Sequence, residues 1–180
     1  REAGGILDDF SDIFPTADGE LGAPGPLSSD IGDLLRLGQE VLVQVVKDPL
    51  GTKGARLTTH ITLPGRFLVY LPTVRQRGVS RRITDPDERS RLKAIIDGFP
   101  GNHGWIVRTA GEGRGQPELE ADRDYLLRLW ARIQGVCERS RAPSLTHHEL
   151  SPVLRTVRDT FTQAIQELWV DDDESFQEIL

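Results

Sequence analysis

The hydrophobic pattern of the chain changes once, near residue 85, and this change limits the folds that the chain can adopt. Before it, short β-branched runs are bounded by Gly and Pro, which is typical of strands. After it, apolar residues recur mostly at helical spacing, with two short runs of strand character between the helical segments. No internal repeat or heptad pattern accompanies the change. The sequence therefore predicts an α+β fold.

The part before residue 85 is predicted to form three strands. Residues 40–46 make the first, and residues 66–71 make the third. The second spans residues 55–63, where apolar and polar residues alternate, as in a half-buried antiparallel strand. Strands joined by short loops are typical of a small β-barrel or an oligonucleotide-binding fold.

The part after residue 85 begins with a helix that has both start and stop signals. Asp85 is an N-cap residue, Pro86 stands at the first helical position, and Gly98 is placed to end the helix. The remaining predicted elements are a strand at 105–109, an amphipathic helix at about 118–139, a helix from Ser151-Pro152 to about Phe161, a strand at 164–170 and a final helix capped within Asp171 to Asp173.

Residues 15–39 are predicted to form a flexible loop, because their Gly, Pro, Ser and Asp content cannot bury much apolar area. An amphipathic turn at 31–37 closes this loop.

Composition indicates the compartment and the kind of chain. No stretch reaches the ~20 apolar residues of a membrane span, so no membrane-spanning segment is expected. The single Cys137 cannot form an internal disulfide, which suits a reducing cytoplasm. The chain contains no methionine and begins with Arg1, which indicates a fragment or an engineered chain.

The charges are distributed unevenly. The formal net charge is -6, yet the segment from Lys53 to Arg82 holds seven bases and no Asp or Glu. Because salt screens charges beyond roughly 8–10 Å, a polyanion responds to this local field more than to the net charge. The segment is therefore a candidate for phosphate contacts. For residues 75–82 alone, a solvated basic loop is an equally good interpretation.

Several chemistries lack their motifs. The chain has no Gly-rich phosphate loop, no dinucleotide fingerprint and no pair of histidines at metal-binding helical spacing. His147-His148 is predicted to lie in a surface loop. The acidic run 171–174 is predicted to be a solvated face or helix-start charge, and no metal site is expected in the chain.

Two segments have the groups that a terminal phosphate needs. Residues 63–72 combine a glycine with extended backbone that could offer free N–H groups. Residues 105–110 place Arg108 beside the hydroxyl of Thr109. A guanidinium, a hydroxyl and backbone amides together can bind a phosphate, although an arginine at a strand end is by itself a weak signal.

Four motifs in fixed order resemble the N-terminal catalytic half of the ribonuclease E/G family. They are the segments 51–59, 64–72, 78–83 and 106–110, and the resemblance runs from about Gly38 to the end of the chain. It implies a partial oligonucleotide-binding barrel at 1–58, a sensor for the RNA 5′ end at 59–151, and the beginning of a ribonuclease H-like subdomain at 152–180. The chain departs from the family at Ile6 or Leu7, where the family often has an RNA-stacking aromatic, and Phe10 and Phe14 are candidate substitutes for it.

The resemblance implies a role for six residues. In this family a 5′-monophosphate is held by an arginine and a threonine, by backbone groups on the facing strand, and by a supporting arginine. In this chain the 5′-phosphate residues are Arg108, Thr109, Gly65, Val69 and Arg81, and Lys53 matches a lysine on the RNA-binding face of the barrel. Two further bases of the basic segment, Arg56 and Arg82, are also expected to bind RNA.

The resemblance also implies what the parent protein does. It is expected to be a bacterial, cytoplasmic, single-strand-specific and magnesium-dependent endoribonuclease of rRNA processing and mRNA decay, active as a homo-oligomer. Its RNA partner is expected to carry a 5′-monophosphate, and no DNA partner is expected. The family's metal-binding aspartates and zinc-linking cysteines have no counterpart in this chain, so the chain is expected to bind RNA without cutting it.

Two other interpretations of the sequence stay open. The first is a single-stranded RNA-binding module that grips the backbone through its basic segment with no preference for the 5′ end. The second is a structural domain whose acidic ends bind a protein partner. Salt-insensitive binding to protein but not to RNA would favour this last interpretation.

Overall fold

A computed structural model of the chain describes residues 34–162 and 165–180. The elements of these residues confirm the predicted mixed α+β class. In chain order they are β1 (Gln44–Lys47), β2 (Arg56–Thr58), β3 (Leu63–Pro64), β4 (Leu68–Leu71), β5 (Arg77–Val79), α1 (Pro86–Asp97), β6 (Gly104–Val107), a 3-10 turn (Thr109–Gly111), α2 (Gln116–Arg139), α3 (Pro152–Thr160) and α4 (Asp173–Ile179).

Strands β1 and β2 form a two-stranded antiparallel ribbon, in which Val45 lies opposite Leu57. Both of these apolar side chains are more than half exposed. The predicted barrel is not closed in residues 34–162 and 165–180, because the short strands of the ribbon pair only with each other.

The strand predicted over 55–63 is wrong in its length, since β2 ends at Thr58 and β3 begins at Leu63. Hydrogen bonds from side chains to the backbone interrupt the strand between Thr58 and Leu63. The hydroxyl of Thr58 accepts the N–H of His60 at 3.1 Å, and the amide of Gln44 bonds to both the N–H and the C=O of Thr62, at 2.8 and 3.1 Å. A backbone whose polar groups are satisfied by side chains has no need of a strand neighbour.

The second sheet has the strand order β3-β4-β6-β5. Strand β4 is antiparallel to both β3 and β6, whereas β5 runs parallel to β6. Helix α1 connects these two parallel strands, as a parallel pair requires a crossover. Its predicted caps are confirmed: the Asp85 side chain accepts the N–H of Asp87, and Gly98 ends the helix.

The core lies on this sheet and the helices beside it. All four residues of β4 and all four of β6 are buried. Helix α1 buries Leu92 and Ile96, and α2 buries Leu119, Leu126 and Ile133. These three positions confirm the amphipathic helix predicted at 118–139, whereas Tyr125, which has the same apolar spacing, is 43% exposed. None of the described helices is both long and apolar enough to span a membrane.

The described residues up to Arg132 form one compact unit, and Ile133 to Leu180 form a second. In the second unit, Ser151 caps α3 as predicted, and Asp172 caps α4 by accepting the N–H of Ser175 at 2.8 Å. The strand predicted at 164–170 is wrong for residues 165–170, which are neither strand nor helix. The predicted domain bounds 1–58, 59–151 and 152–180 stay a prediction.

Some predictions fall outside the described residues. These are the flexible loop and closing turn as far as residue 33, the position of the missing stacking aromatic at Ile6 or Leu7, and its two candidate substitutes, Phe10 and Phe14.

Candidate functional site

Three chain segments meet at one end of the four-stranded sheet. Parallel strands β5 and β6 both finish there, with Val79 opposite Val107, and antiparallel β4 begins there, with Leu68 also opposite Val107. Two backbone bonds of 2.8 Å extend the contacts beyond the strands: Arg108 donates to the C=O of Phe67, and Ser80 donates to the C=O of Val107. The sheet thus brings together the segments 65–69, 79–82 and 107–109, which hold all five residues expected to bind a 5′-phosphate.

Arg108 lies against the turn that precedes β4. Its side chain is buried, with 7% of the residue exposed. Nη1 donates to the C=O of Gly65 at 2.5 Å and to the C=O of Arg66 at 3.2 Å. A guanidinium has five N–H donors in a rigid fork, and these two carbonyls help to fix its position.

Thr109 and Ser80 place two hydroxyls next to each other at this end of the sheet. Their oxygens lie 3.2 Å apart, and Ser80 Oγ also accepts the N–H of Arg82 at 3.3 Å. Arg81 and Arg82, which follow Ser80, are exposed. This end of the sheet therefore combines one buried guanidinium, two hydroxyls and two exposed arginines.

Arg89 of α1 holds the turn on which Arg81 and Arg82 lie. Its Nη1 donates to the C=O of Ser80 at 2.5 Å and of Ile83 at 2.8 Å, and Nη2 donates to the C=O of Val79 at 3.3 Å. This role was not predicted from the sequence. A guanidinium that clasps three carbonyls is a tertiary arrangement with no local sequence signal.

The turn from Gly65 to Leu68 does not offer free N–H groups, so that part of the prediction is wrong. The Gly65 N–H donates to the C=O of Leu68 at 2.8 Å. The next three N–H groups donate to the carboxylate of Asp122 on α2. Oδ1 accepts from Arg66 at 3.1 Å, and Oδ2 accepts from Phe67 at 2.8 Å and from Leu68 at 2.9 Å.

The sequence did contain a signal for Asp122. It lies three residues after Leu119 and four before Leu126, both fully buried, so it shares the inward face of α2. A carboxylate on an apolar stripe needs buried donors.

Val69, another residue expected at the site, lies in β4 between Pro64 of β3 and Ile106 of β6, and is 1% exposed.

A second carboxylate braces the loop after the 3-10 turn. Glu88 Oε1 accepts the N–H of Gly113 at 2.8 Å, and Arg91 donates to both Glu88 oxygens at 2.7 Å. Arg91 also donates to the C=O of Arg114 at 2.8 Å. The hydrogen bond from Arg91, followed by that from Gly113, lowers the pKa of Glu88 from 4.5 to about 2.

The bases of the basic segment lie in two different settings. Arg77 is structural: it donates to the carbonyls of Asp97, Phe99 and Gly101, at 2.6, 3.0 and 3.1 Å, and so satisfies the C-terminal end of α1. Two exposed bases lie elsewhere: Lys53 is in the connection between β1 and β2, and Arg56 is in β2. The structure does not bring this pair into the segments that surround Arg108.

The carboxylates and histidines of the described residues are not grouped as metal ligands would be. Within residues 34–162 and 165–180, no group of three or more His, Cys, Asp or Glu side chains is arranged to hold a metal ion. As predicted, His147 and His148 lie in a segment without helix or strand. The predicted helix-start role of the acidic run 171–174 is confirmed by Asp172, whose hydrogen bonds with the backbone and then the side chain of Ser175 lower its pKa.

Comparison with known proteins identifies the family. The sequence model of the ribonuclease E/G family matches residues 62–180, which include the sheet end around Arg108. The chain belongs to the ribonuclease E/G family. Relatives include ribonuclease G of Escherichia coli strain K12, 43% identical over 152 residues that cover 84% of this chain and 31% of that protein.

Other members of the ribonuclease E/G family are similar to a comparable extent. Ribonuclease G of Haemophilus influenzae is 43% identical over 152 residues, 83% of this chain and 30% of the relative. Ribonuclease E of a Nostoc species is 38% identical over 161 residues, 86% of this chain and 23% of the relative. The chain spans about a third of the length of the ribonuclease G proteins that it matches.

Proposed function

We propose that this chain binds single-stranded RNA and recognises a 5′-monophosphate at the sheet end formed by 65–69, 79–82 and 107–109. In this proposal it is the substrate-recognition part of a magnesium-dependent endoribonuclease of RNA processing and decay. The parent is a homo-oligomeric, cytoplasmic bacterial protein that takes RNA and not DNA. The runner-up is an RNA-binding module with no end preference.

The observation that supports the proposal most strongly is the setting of Arg108. Its guanidinium is nearly buried, is held in place by the carbonyls of Gly65 and Arg66, and lies one residue from the Thr109 hydroxyl. Burial strengthens a charge-assisted hydrogen bond, and a fork of N–H donors matches phosphate oxygens. A 5′-hydroxyl offers no charged oxygen, so this arrangement favours the phosphorylated end.

The other expected residues have two kinds of role in the proposal. Arg81, exposed beside Ser80, adds charge at the phosphate, while Gly65 and Val69 shape the facing strand. Lys53, Arg56 and Arg82 contact backbone phosphates, which gives salt-dependent affinity without information about the 5′ end.

Bond cleavage is not assigned to the described residues. Magnesium-assisted hydrolysis requires carboxylates that hold the metal and activate water. Here Asp122 accepts three backbone N–H groups, Glu88 pairs with Arg91, and Asp172 caps a helix. These residues do not fit a magnesium site, so we propose that the chain alone binds RNA without cutting it and that magnesium and zinc belong to other parts of the parent.

The test compares the affinity of the chain for one short single-stranded RNA with a 5′-monophosphate or a 5′-hydroxyl. Fluorescence anisotropy with a 3′ label leaves the 5′ end free. We expect the wild type to prefer the monophosphate, and Arg108→Ala to remove the preference while leaving the affinity for hydroxyl RNA nearly unchanged. Equal affinities in the wild type would support the module without end preference.

A further inference from the structure

Asp122 connects helix α2 to the turn that precedes β4. Its carboxylate accepts the N–H groups of Arg66, Phe67 and Leu68 at 2.8 to 3.1 Å. Asp122 lies at least 54 residues from these donors along the chain, so the contact is tertiary. Three amide donors on one carboxylate hold that turn against the helix.

The same turn holds Arg108 from its other side. The carbonyls of Gly65 and Arg66 accept Arg108 Nη1, while the Arg66 N–H points to Asp122. One peptide segment therefore lies between a carboxylate and a guanidinium, with its donors facing the first and its acceptors facing the second. A shift of the turn would move the guanidinium.

From this arrangement we infer that Asp122 is a positioning residue for the 5′-monophosphate preference. It acts through the turn on Arg108 and does not contact the phosphate. The inference rests on the proposed function and goes beyond it, since it assigns the preference to a contact between helix α2 and the sheet.

The arrangement also assigns the phosphate contacts to side chains. Because the N–H groups of 66–68 donate to Asp122, the RNA end is left to Arg108, Thr109 and Arg81. Side-chain recognition of this kind depends on how well the guanidinium is placed, since displacements near 1 Å cost substantial binding energy.

Asp122→Asn tests the inference with little change in size. A carboxamide has one oxygen acceptor in place of two, and its NH₂ group would face a backbone N–H. At least one of the three bonds is lost and the turn loses its charge-assisted support. Asp124→Asn is the matched control, because Asp124 lies on the same helix, pairs with Arg123 at 2.7 Å and is 49% exposed at its side chain.

The measurement is the ratio of dissociation constants for the hydroxyl and monophosphate forms of the RNA. A smaller folded fraction lowers the apparent affinity for both RNAs by the same factor. The ratio of the two dissociation constants therefore reports the positioning of Arg108 and not the stability of the protein. We expect Asp122→Asn to reduce the ratio about tenfold, as a loss near 1.4 kcal/mol implies, and Asp124→Asn to leave it unchanged. If Asp122→Asn does not fold, Asp122→Ser, which keeps one acceptor, is expected to give the same reduction.

The outcomes separate the inference from the function on which it rests. If the wild type shows no preference, the proposed function fails. If Arg108→Ala removes the preference while Asp122→Asn keeps it, the proposed function stands and the positioning role of Asp122 is wrong. The same conclusion follows if Asp122→Asn lowers the affinity for both RNAs equally.

Discussion

The carboxylate of Asp122 fills the space beside Gly65 in which any other residue would carry its Cβ. A Cβ at Gly65 would lie 2.6 Å from Oδ2 and 2.7 Å from Oδ1 of Asp122. Gly65 does not have a positive φ. The glycine is therefore required because a side chain from α2 approaches closely, and not because of an unusual backbone angle.

Gly65→Ala is expected to destabilise the protein by about 1–3 kcal/mol, because the added methyl group forces the carboxylate from its three N–H donors. In an Asp122→Ala background the same substitution should cost less, with a coupling energy of about 0.5–3 kcal/mol. Urea unfolding of the four proteins measures both quantities. Gly54→Ala is the control, since a Cβ there meets nothing within 4 Å. An equal cost in both backgrounds would contradict the steric account.

Arg77 and Arg75 belong to the same basic segment but are expected to contribute differently to stability. Arg77→Gln should lower the free energy of unfolding by about 1–3 kcal/mol, because the carbonyls of Asp97, Phe99 and Gly101 lose their donor. Arg75→Gln, at an exposed position, should change it by less than about 0.5 kcal/mol. Chemical unfolding tests both variants. A stable Arg77→Gln protein would mean that this clasp does not support α1.

The contrast between α1 and the strand predicted at 55–63 shows what sequence can establish. The signals of α1 are local: Asp85, Pro86 and Gly98 act within one turn of the helix ends, and the helix forms where they indicate. The prediction of a strand over 55–63 was wrong because the side chain of Gln44, 18 residues before Thr62, takes the hydrogen bonds of the Thr62 backbone. Alternation indicates which faces are apolar, but not which partner a backbone will find.

Glu88 gives the stability a dependence on pH in the acid range. Its pKa is lowered from 4.5 to about 2, so the folded state holds this proton less tightly than the unfolded state. The stabilisation from Glu88 is thus present above about pH 4.5 and is lost as the pH falls toward 2. The stability difference between wild type and Glu88→Gln should shrink over this window.

Thermal unfolding of the two proteins at pH 6 and pH 3 measures the effect of Glu88, with Glu112→Gln as the control for an exposed carboxylate of the neighbouring loop. Added salt should reduce the difference at pH 6, since the Arg91–Glu88 pair is partly exposed. A difference that stays constant with pH would contradict the assigned role of this pair.

Lys53→Gln is expected to reduce the salt dependence of RNA binding. Each lost phosphate contact should lower the slope of log affinity against log salt by about 0.7 for single-stranded RNA. The preference for a 5′-monophosphate should stay the same, because Lys53 lies in the connection between β1 and β2 and not beside Arg108. Titrations at several salt concentrations measure the slope. Lys93→Gln, at a lysine paired with Asp97, should leave it unchanged, and a changed 5′ preference in Lys53→Gln would contradict the separation of the two surfaces.

The residues of the candidate site could be predicted from the sequence, but most of the residues that hold them in place could not. Arg108 and Thr109 follow a clear apolar strand, and the motifs of 64–72 and 78–83 provide the neighbouring segments. The supports are Asp122 and Arg89, whose partners are backbone groups on other elements. Backbone groups look alike in every sequence, so only the fold shows which of them a side chain will reach. Asp122 is the one exception, because its place between Leu119 and Leu126 on the apolar stripe of α2 can be read from the sequence.

The most direct test of the central claim is a ³¹P NMR titration of a short 5′-monophosphorylated RNA with the wild-type chain. The terminal phosphate resonance is separate from those of the internal phosphodiesters. If the sheet end around Arg108 binds the 5′-phosphate, the terminal resonance should shift saturably, and Arg108→Gln should abolish that shift while the diester resonances still respond. A terminal resonance that does not move in the wild type, or moves equally in Arg108→Gln, would contradict the account.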